Sequence, residues 1–295
     1  MERKLVQQGQ STLMISLPRS WIVEQGLKRG SEVSISQEAG AVVIRAKGSA
    51  RVREISLTLV GEDESLVRTL ITNAYRTGIE KIHVTFGTQA QYSLLSQTVK
   101  TKLLGFQITH KEKKSCVIES ITEPDATQFE NILSKFFLSI KQMLEIALCR
   151  AENKQVEEDI DELEDRIMQY ENFCLRCLSR EARSSSVDFL QLVIHNMNHG
   201  QRDCYHALSS LKKSSLDAQL VKYCAQIVAI LMDAYTRKTT EKLHEIHLIE
   251  ENEKKLLRKP LTLTSHHLAS AVRFFYLANS PLAGWIILQS QNKVN

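Results

Sequence analysis

The sequence predicts a multi-domain, mainly α-helical chain of 295 residues, with a small β head, an α/β connector and a helical tail. Three observations carry this. Short period-two runs broken by glycine fill the first 47 residues, strand-like and helix-like segments alternate from about 51 to 121, and only helical apolar spacing follows Pro124. Four prolines, 11 glycines, 43% hydrophobic and 24% charged residues describe an ordered, helix-rich protein. The expected domains are 1–48, 49–122 and 123–295, the last dividing near 213.

In the head, Lys4 to Gln8 and Thr12 to Leu17 read as two strands joined at Gly9 and stopped by Pro18, which cannot donate to a ladder. Ser20 to Gln25 suits one or two helical turns, with Gly26 and Gly30 as stop and turn. Val33 to Ser36 and Ala41 to Arg45 form a second hairpin across Ala39-Gly40. Strands this short bury little by themselves, so a partner is expected.

The order Gly9-x-Ser11, Ile15-Ser16-Leu17-Pro18-Arg19-x-Trp21, Gly26-Leu27-x-x-Gly30-Ser31-x-Val33 and Gly40 resembles the AbrB/SpoVT/MazE swapped-hairpin family across residues 3–46. Ser31 stands where that family more often has Asp. The resemblance implies an obligate homodimer formed by exchanged hairpins that presents Arg and Lys to DNA. Residues 1–50 carry seven bases against four acids, and the DNA-contacting candidates are Arg3, Lys4, Arg19, Lys28 and Arg29. The bland alternative is a barrel that only dimerises the chain.

The connector reads βαβαββ: a strand at Ile55–Val60, a helix at Glu64–Arg76 ended by Gly78, a strand at Lys81–Phe86, a helix at Tyr92–Leu104 stopped by Gly105, and a hairpin of Phe106–Thr109 with Cys116–Ser120. It has no glycine-rich phosphate loop and no catalytic cluster. A structural spacer or partner-binding unit is expected.

In the tail, apolar residues recur at helical spacing from Phe129 to Leu144 and from Ile160 to Cys174. A third helix is expected at Val187–Leu211, then others at about 217–235, 240–257 and 264–290, with Pro260 and a Thr262–Ser265 cap between the last two. Six helices in two sets of three suggest a tandem three-helix bundle.

Residues 157–165 hold seven acids in nine positions, so either a solvated face or an offsetting cation is required. Glu157-x-x-x-Asp161, followed by Leu163 and Ile167, resembles the acid-x-x-x-Asp motif of the PhoU family of phosphate-uptake regulators, built from tandem three-helix bundles. The matching position on the third helix reads His199-x-x-x-Asp203. The resemblance implies that Glu157, Asp161, His199 and Asp203 converge on a divalent transition metal, for which iron, manganese or zinc suits this donor set. In the second half, His244, Glu245, Glu250 and Glu253 lie on the middle helix, but the last helix offers Arg273, Tyr276 and Asn279 where the family would place an acid and Asp, which speaks against a second metal site. An AbrB-like head, an α/β connector and a PhoU-like tail together resemble an architecture seen especially in archaea.

Other features read blandly. His195 and His199 at i, i+4 lack the Glu of His-Glu-x-x-His and suit a partly buried, hydrogen-bonded role. Cys174-Leu-Arg-Cys177 has no partner CxxC, and the six cysteines are expected reduced and mostly buried. His266-His267 suits a cap or surface, and Trp285 a core or dimer contact. No apolar run approaches the roughly 20 residues of a membrane span, and Met1-Glu2-Arg3-Lys4 leads into no signal-like segment, so a cytoplasmic protein without membrane insertion is expected.

The functional expectation is a phosphate-responsive transcriptional or signalling regulator that binds DNA as a dimer, with no catalytic residues. The alternatives are an adaptor that dimerises through the head and docks on a phosphate transporter or sensor, and a metal-dependent bundle enzyme. For the last, Glu241-x-x-His244 has no mate.

Overall fold

The computed structural model describes residues 2–9, 12–38, 41–46, 53–121, 126–154, 156–180, 185–258 and 260–291. Ser11, the Ala39-Gly40 turn, Lys47 and the expected domain boundaries at 48–49 and 122–123 lie outside the described residues. The chain divides into two compact units, Met1–Arg53 and Glu54–Asn295.

In the first unit, β1 (Val6–Gln8) pairs antiparallel with β2 (Thr12–Met14), and β3 (Val33–Glu38) with β4 (Ala41–Ala46). Between the hairpins lies α1 (Arg19–Glu24), whose first hydrogen bond runs from the Ile22 N–H to the Pro18 carbonyl. It ends at Gly26, whose φ of 63° lets its own N–H and that of Leu27 turn back onto the Val23 and Ile22 carbonyls. Both expected hairpins are present, but they are separate two-stranded ribbons. No described residue of this unit up to Ala46 is buried, and Leu5, Leu13, Ile35 and Val42 are each more than 60% exposed.

The second unit begins with β5 (Glu54–Thr58), α2 (Glu64–Arg76), β6 (Lys81–Thr85), α3 (Gln89–Lys102), β7 (Phe106–Lys111) and β8 (Ser115–Ser120), the βαβαββ order read from sequence. The strands form one sheet in the order β5-β6-β8-β7, parallel between β5 and β6 and antiparallel elsewhere. Alternation sets its faces. Ile82 and Val84, opposite Ile118 and Cys116, are buried in one cluster with Ile71 and Tyr75 of α2 and Leu95 and Val99 of α3. Residues of the opposite alternation carry ion pairs, Lys81 with Glu119 at 2.7 Å and His83 with Glu54 at 3.1 Å. The Asp63 side chain caps α2, and a Thr88/Gln91 capping box starts α3.

The helices α4 (Ala126–Ala151), α5 (Ile160–Arg180), α6 (Ser185–Leu208), α7 (Ser215–Arg237), α8 (Leu243–Leu256), α9 (Leu263–Leu277) and α10 (Asn279–Gln291) follow. Ser214 and Thr262 cap α7 and α9, the second as expected. One apolar cluster runs through all seven, so the two expected sets of three helices share a single core. Helix α6 packs against α5 on one side and α9 on another. Trp285 belongs to this core, stacked on Tyr235 at 4.8 Å.

The helix expected at 264–290 is two helices interrupted at Ala278. Pro281 has no N–H for the Leu277 carbonyl, which accepts instead from Asn196 Nδ2 at 3.4 Å. Ser215–Arg237 and Leu263–Ser290 are, by length and composition, apolar enough to cross a bilayer, although neither is one unbroken apolar run. Both supply residues to the shared core.

Candidate functional site

The chemistry of the second unit concentrates on one face of α5, where α2, α3 and α6 meet it. Positions 161, 164, 165, 171, 172, 176, 179 and 180 follow helical spacing along that face. The α/β layer is bound to it by charge rather than by an apolar seam alone.

The acidic run is divided among several tasks. Asp159 precedes α5 and its Oδ1 accepts from the Asp161 and Glu162 N–H groups at 3.0 and 3.1 Å, capping the helix. Glu162 pairs with Arg166 one turn on, at 3.5 Å. Glu164 and Asp165 hold the ammonium of Lys102, at the end of α3, at 2.9 and 2.6 Å. The Lys102 side chain is only 8% exposed. The offsetting cation that the crowded acids call for is therefore in part a lysine of the α/β layer, and the run is not simply a solvated face.

Asp161, Glu164 and Asp165 also line a cleft of about 290 Å³ with Glu64, Arg68, Thr98, Lys102 and Tyr205. The cleft lies between α2 and α3 on one side and α5 and α6 on the other. The Tyr205 hydroxyl donates to Asp161 Oδ1 at 2.8 Å, and this bond is the largest of the causes that raise the phenol to about 12.

Two turns further along α5 the seam becomes buried. Glu171, 1% exposed, receives Arg76 of α2 at 2.7 Å, while Arg76 Nε donates to Asn172 Oδ1 at 2.6 Å. Asn172 in turn donates to the Lys102 carbonyl at 2.9 Å. From α6, Asn198 hydrogen-bonds Glu171, and His195 Nδ1 lies 3.7 Å from its carboxylate. Burial raises Glu171 to about 7 despite the opposing pull of Arg76 and Arg202. Burial, then Arg76 and His199, lower His195. At the far end, buried Arg176 donates to the Tyr75 and Ile79 carbonyls at 2.8 and 2.7 Å and lies over the Tyr75 and Phe106 rings. Ser179 bonds the Arg76 carbonyl, and Arg180 pairs with Glu80 at 3.2 Å.

The four residues expected to share a metal do not fit one ligand set. Glu157 is exposed in the segment before α5, and Asp161 is engaged by Tyr205. Asp203 accepts from or pairs with His267 Nδ1 of α9 at 2.9 Å, and His199 stacks on Phe274 at 5.0 Å. Residues 203 and 205 are about 200° apart around a helix, so α6 turns one toward α9 and the other toward α5. Among the described residues no group of three or more His, Cys, Asp or Glu is placed to hold a metal ion. In the second half, Arg273 lies 3.4 Å from Glu250 and the Tyr276 hydroxyl 3.2 Å from His247 Nδ1. His267 is more than a surface residue, because it ties α9 to α6. All six cysteines are free, and five are buried.

In the head, Arg3, Lys4, Arg19, Lys28 and Arg29 are all exposed. Lys28 and Arg29 sit in a turn closed from both sides: the Ser31 hydroxyl accepts from the Lys28 N–H at 2.9 Å, and the Ser31 N–H donates to the Lys28 carbonyl at 2.9 Å. Ser31 thus makes the local bond an Asp would make there.

Arg76, Lys102, Glu171 and Arg176 were missed by motif reading. Lys102, Glu171 and Arg176 are charged residues at buried helical positions, and that mismatch is the signal that could have found them; half-buried Arg76 carries no such signal.

No protein-family model matches the chain, and no curated protein or solved structure matches it either.

Proposed function

We propose that this chain is a DNA-binding regulator that works as a homodimer through residues 3–46, with the unit Glu54–Asn295 as its signal-receiving part. The observation that carries this reading is the bare head. Eight large apolar side chains, Leu5, Val6, Leu13, Met14, Ile15, Val23, Ile35 and Val42, are 44–67% exposed, and two separate hairpins give them nothing to pack against. A second copy that exchanges hairpins supplies the missing core. The five exposed bases and the ordered Lys28–Ser31 turn then lie on a dimer that carries them twice, which suits two half-sites on a duplex.

The signal is phosphate status, a reading that rests on the resemblance of the tail to phosphate-uptake regulators. The buried links between α5 and the α/β layer support a receiving unit that moves as one piece, so that a change at the tail reaches the connector.

Selection of bound sequences from random duplexes by the purified full chain, followed by gel shifts at rising salt with and without inorganic phosphate, tests it. The expected result is a two-fold-symmetric site, affinity that falls with salt, and affinity that responds to phosphate. Changing Arg19 or Arg29 to Gln lowers the salt slope by about one for each phosphate no longer neutralised. A dimer that selects no sequence makes the head a dimeriser alone and moves the function to an adaptor. DNA binding indifferent to phosphate removes the phosphate signal.

A further inference from the structure

We propose that the groove between α3 and the outer edge of β7 is a docking site for an acidic, extended segment of a partner protein, bound by strand addition. β7 is an edge strand, paired only with β8 in the sheet order β5-β6-β8-β7. No other described backbone group hydrogen-bonds its outer side. Beside it, α3 presents Tyr92, Ser96, Val99 and Lys100, one stripe at helical spacing, with Leu103 just past its end. Helix and edge enclose a groove of about 530 Å³. A free strand edge backed by a helix lets an added strand satisfy its backbone on one side and seat alternate side chains against the helix on the other.

Charge chooses the occupant. The groove is lined by Lys100, His110 and Lys111, and no carboxylate lines it. The nearest one along the strand, Glu112, is already engaged by Ser115 at 2.9 Å and by His110 at 3.4 Å. Lys111 Nζ lies 3.5 Å from the centroid of the Tyr92 ring, so its ammonium reaches the helix side of the groove. Lys113 and Lys114 extend the basic end into the exposed turn before β8. Val99, Leu103 and Phe106 are buried in the unit's core, and half-buried Ile108 packs on it. These residues form an apolar floor. The matching segment therefore alternates apolar residues with Asp or Glu. The bulge between Ile108 and His110 breaks the edge after its first three residues, so regular pairing is expected along Phe106–Ile108, with the acids meeting the basic end.

A displayed library of random peptides panned on the full chain tests this, with a Lys100→Glu/Lys111→Glu double variant panned in parallel. Both lysines are exposed, and thermal unfolding checks that the variant keeps its fold. Enriched peptides are expected to carry alternating acids and to bind the double variant at least tenfold more weakly by fluorescence anisotropy. They are also expected to slow hydrogen exchange at Phe106–Ile108 of the unaltered chain. The proposal fails if no peptide is enriched on the unaltered chain, if the enriched peptides bind both proteins equally, or if protection falls on another edge.

Discussion

Glu171 is the residue whose surroundings alter its chemistry most usefully. Its carboxyl is raised from 4.5 to about 7, with burial outweighing two arginines, so the fold favours its protonated form. A group with a raised folded pKa stabilises the fold fully below its unfolded pKa, and that contribution is lost as pH rises through about 7. Glu171→Gln removes this dependence. Urea unfolding at pH 5 and pH 8 is expected to show the variant gaining on the parent chain by up to roughly 3 kcal/mol as pH rises. His195 works in the opposite sense: its lowered pKa makes its contribution present above its unfolded value and lost as pH falls. Comparing the variant with the parent separates the two. Gly200 is a second decisive position, because a Cβ there would stand 2.5 Å from Phe275 Cε1 at the contact of α6 with α9. Gly200→Ala would normally favour a helix by about 1 kcal/mol, but here overpacking is expected to cost about 1–3 kcal/mol, read as a lowered melting temperature.

At the scale of elements, α5 is the chain's central strut. One side of it closes the helical core through Leu163, Ile167 and Cys174, and the other receives α2 through the Arg76–Glu171 hydrogen bond and α3 through the ion pairs of Lys102. The acids at 157–165 look like one feature in sequence, yet the helix start at Ile160 splits them. Asp159 caps, Glu162 pairs within the helix, and Glu164 and Asp165 reach across to α3. Lys102→Met leaves these two acids facing each other without their cation. The expected loss is roughly 1–3 kcal/mol, since both acids keep some access to water. Hydrogen exchange is expected to show α3 and the first turns of α5 opening together while α7 and α9 keep their protection. Equal exchange in both proteins would mean that apolar contacts alone hold the layer in place.

At the scale of the molecule, the two units differ in what they can do alone. Glu54–Asn295 has large buried clusters, whereas the described head has no buried residue. Leu17→Asp or Ile35→Asp is therefore expected to convert a dimer to a monomer by sedimentation while the helical circular dichroism signal persists. A head that stays folded as a monomer would overturn hairpin exchange. The melting temperature of the head is expected to rise with protein concentration, as for any fold completed by its partner.

Local patterning carried much of this architecture. Alternation marked both head hairpins and the four strands of the sheet, glycine and the Ser and Thr caps marked helix ends, and 3.6-residue spacing marked the tail, because backbone geometry imposes those periods on any chain that folds this way. Pro281 was visible in sequence, but its interruption of the last helix was read only from the structure, where Asn196 takes up the freed carbonyl. Which partner each charge would find was not local information at all. Asp161 and Asp203 share a motif reading, yet two residues of helical rotation on α6 separate the flank whose Tyr205 meets Asp161 from the flank whose Asp203 meets His267. Lys102 and Glu164 lie 62 positions apart, as do no two residues of any motif read from the chain. Period is written in neighbouring residues, whereas the pairing of distant charges depends on how the layers pack, and only the tertiary structure decides that.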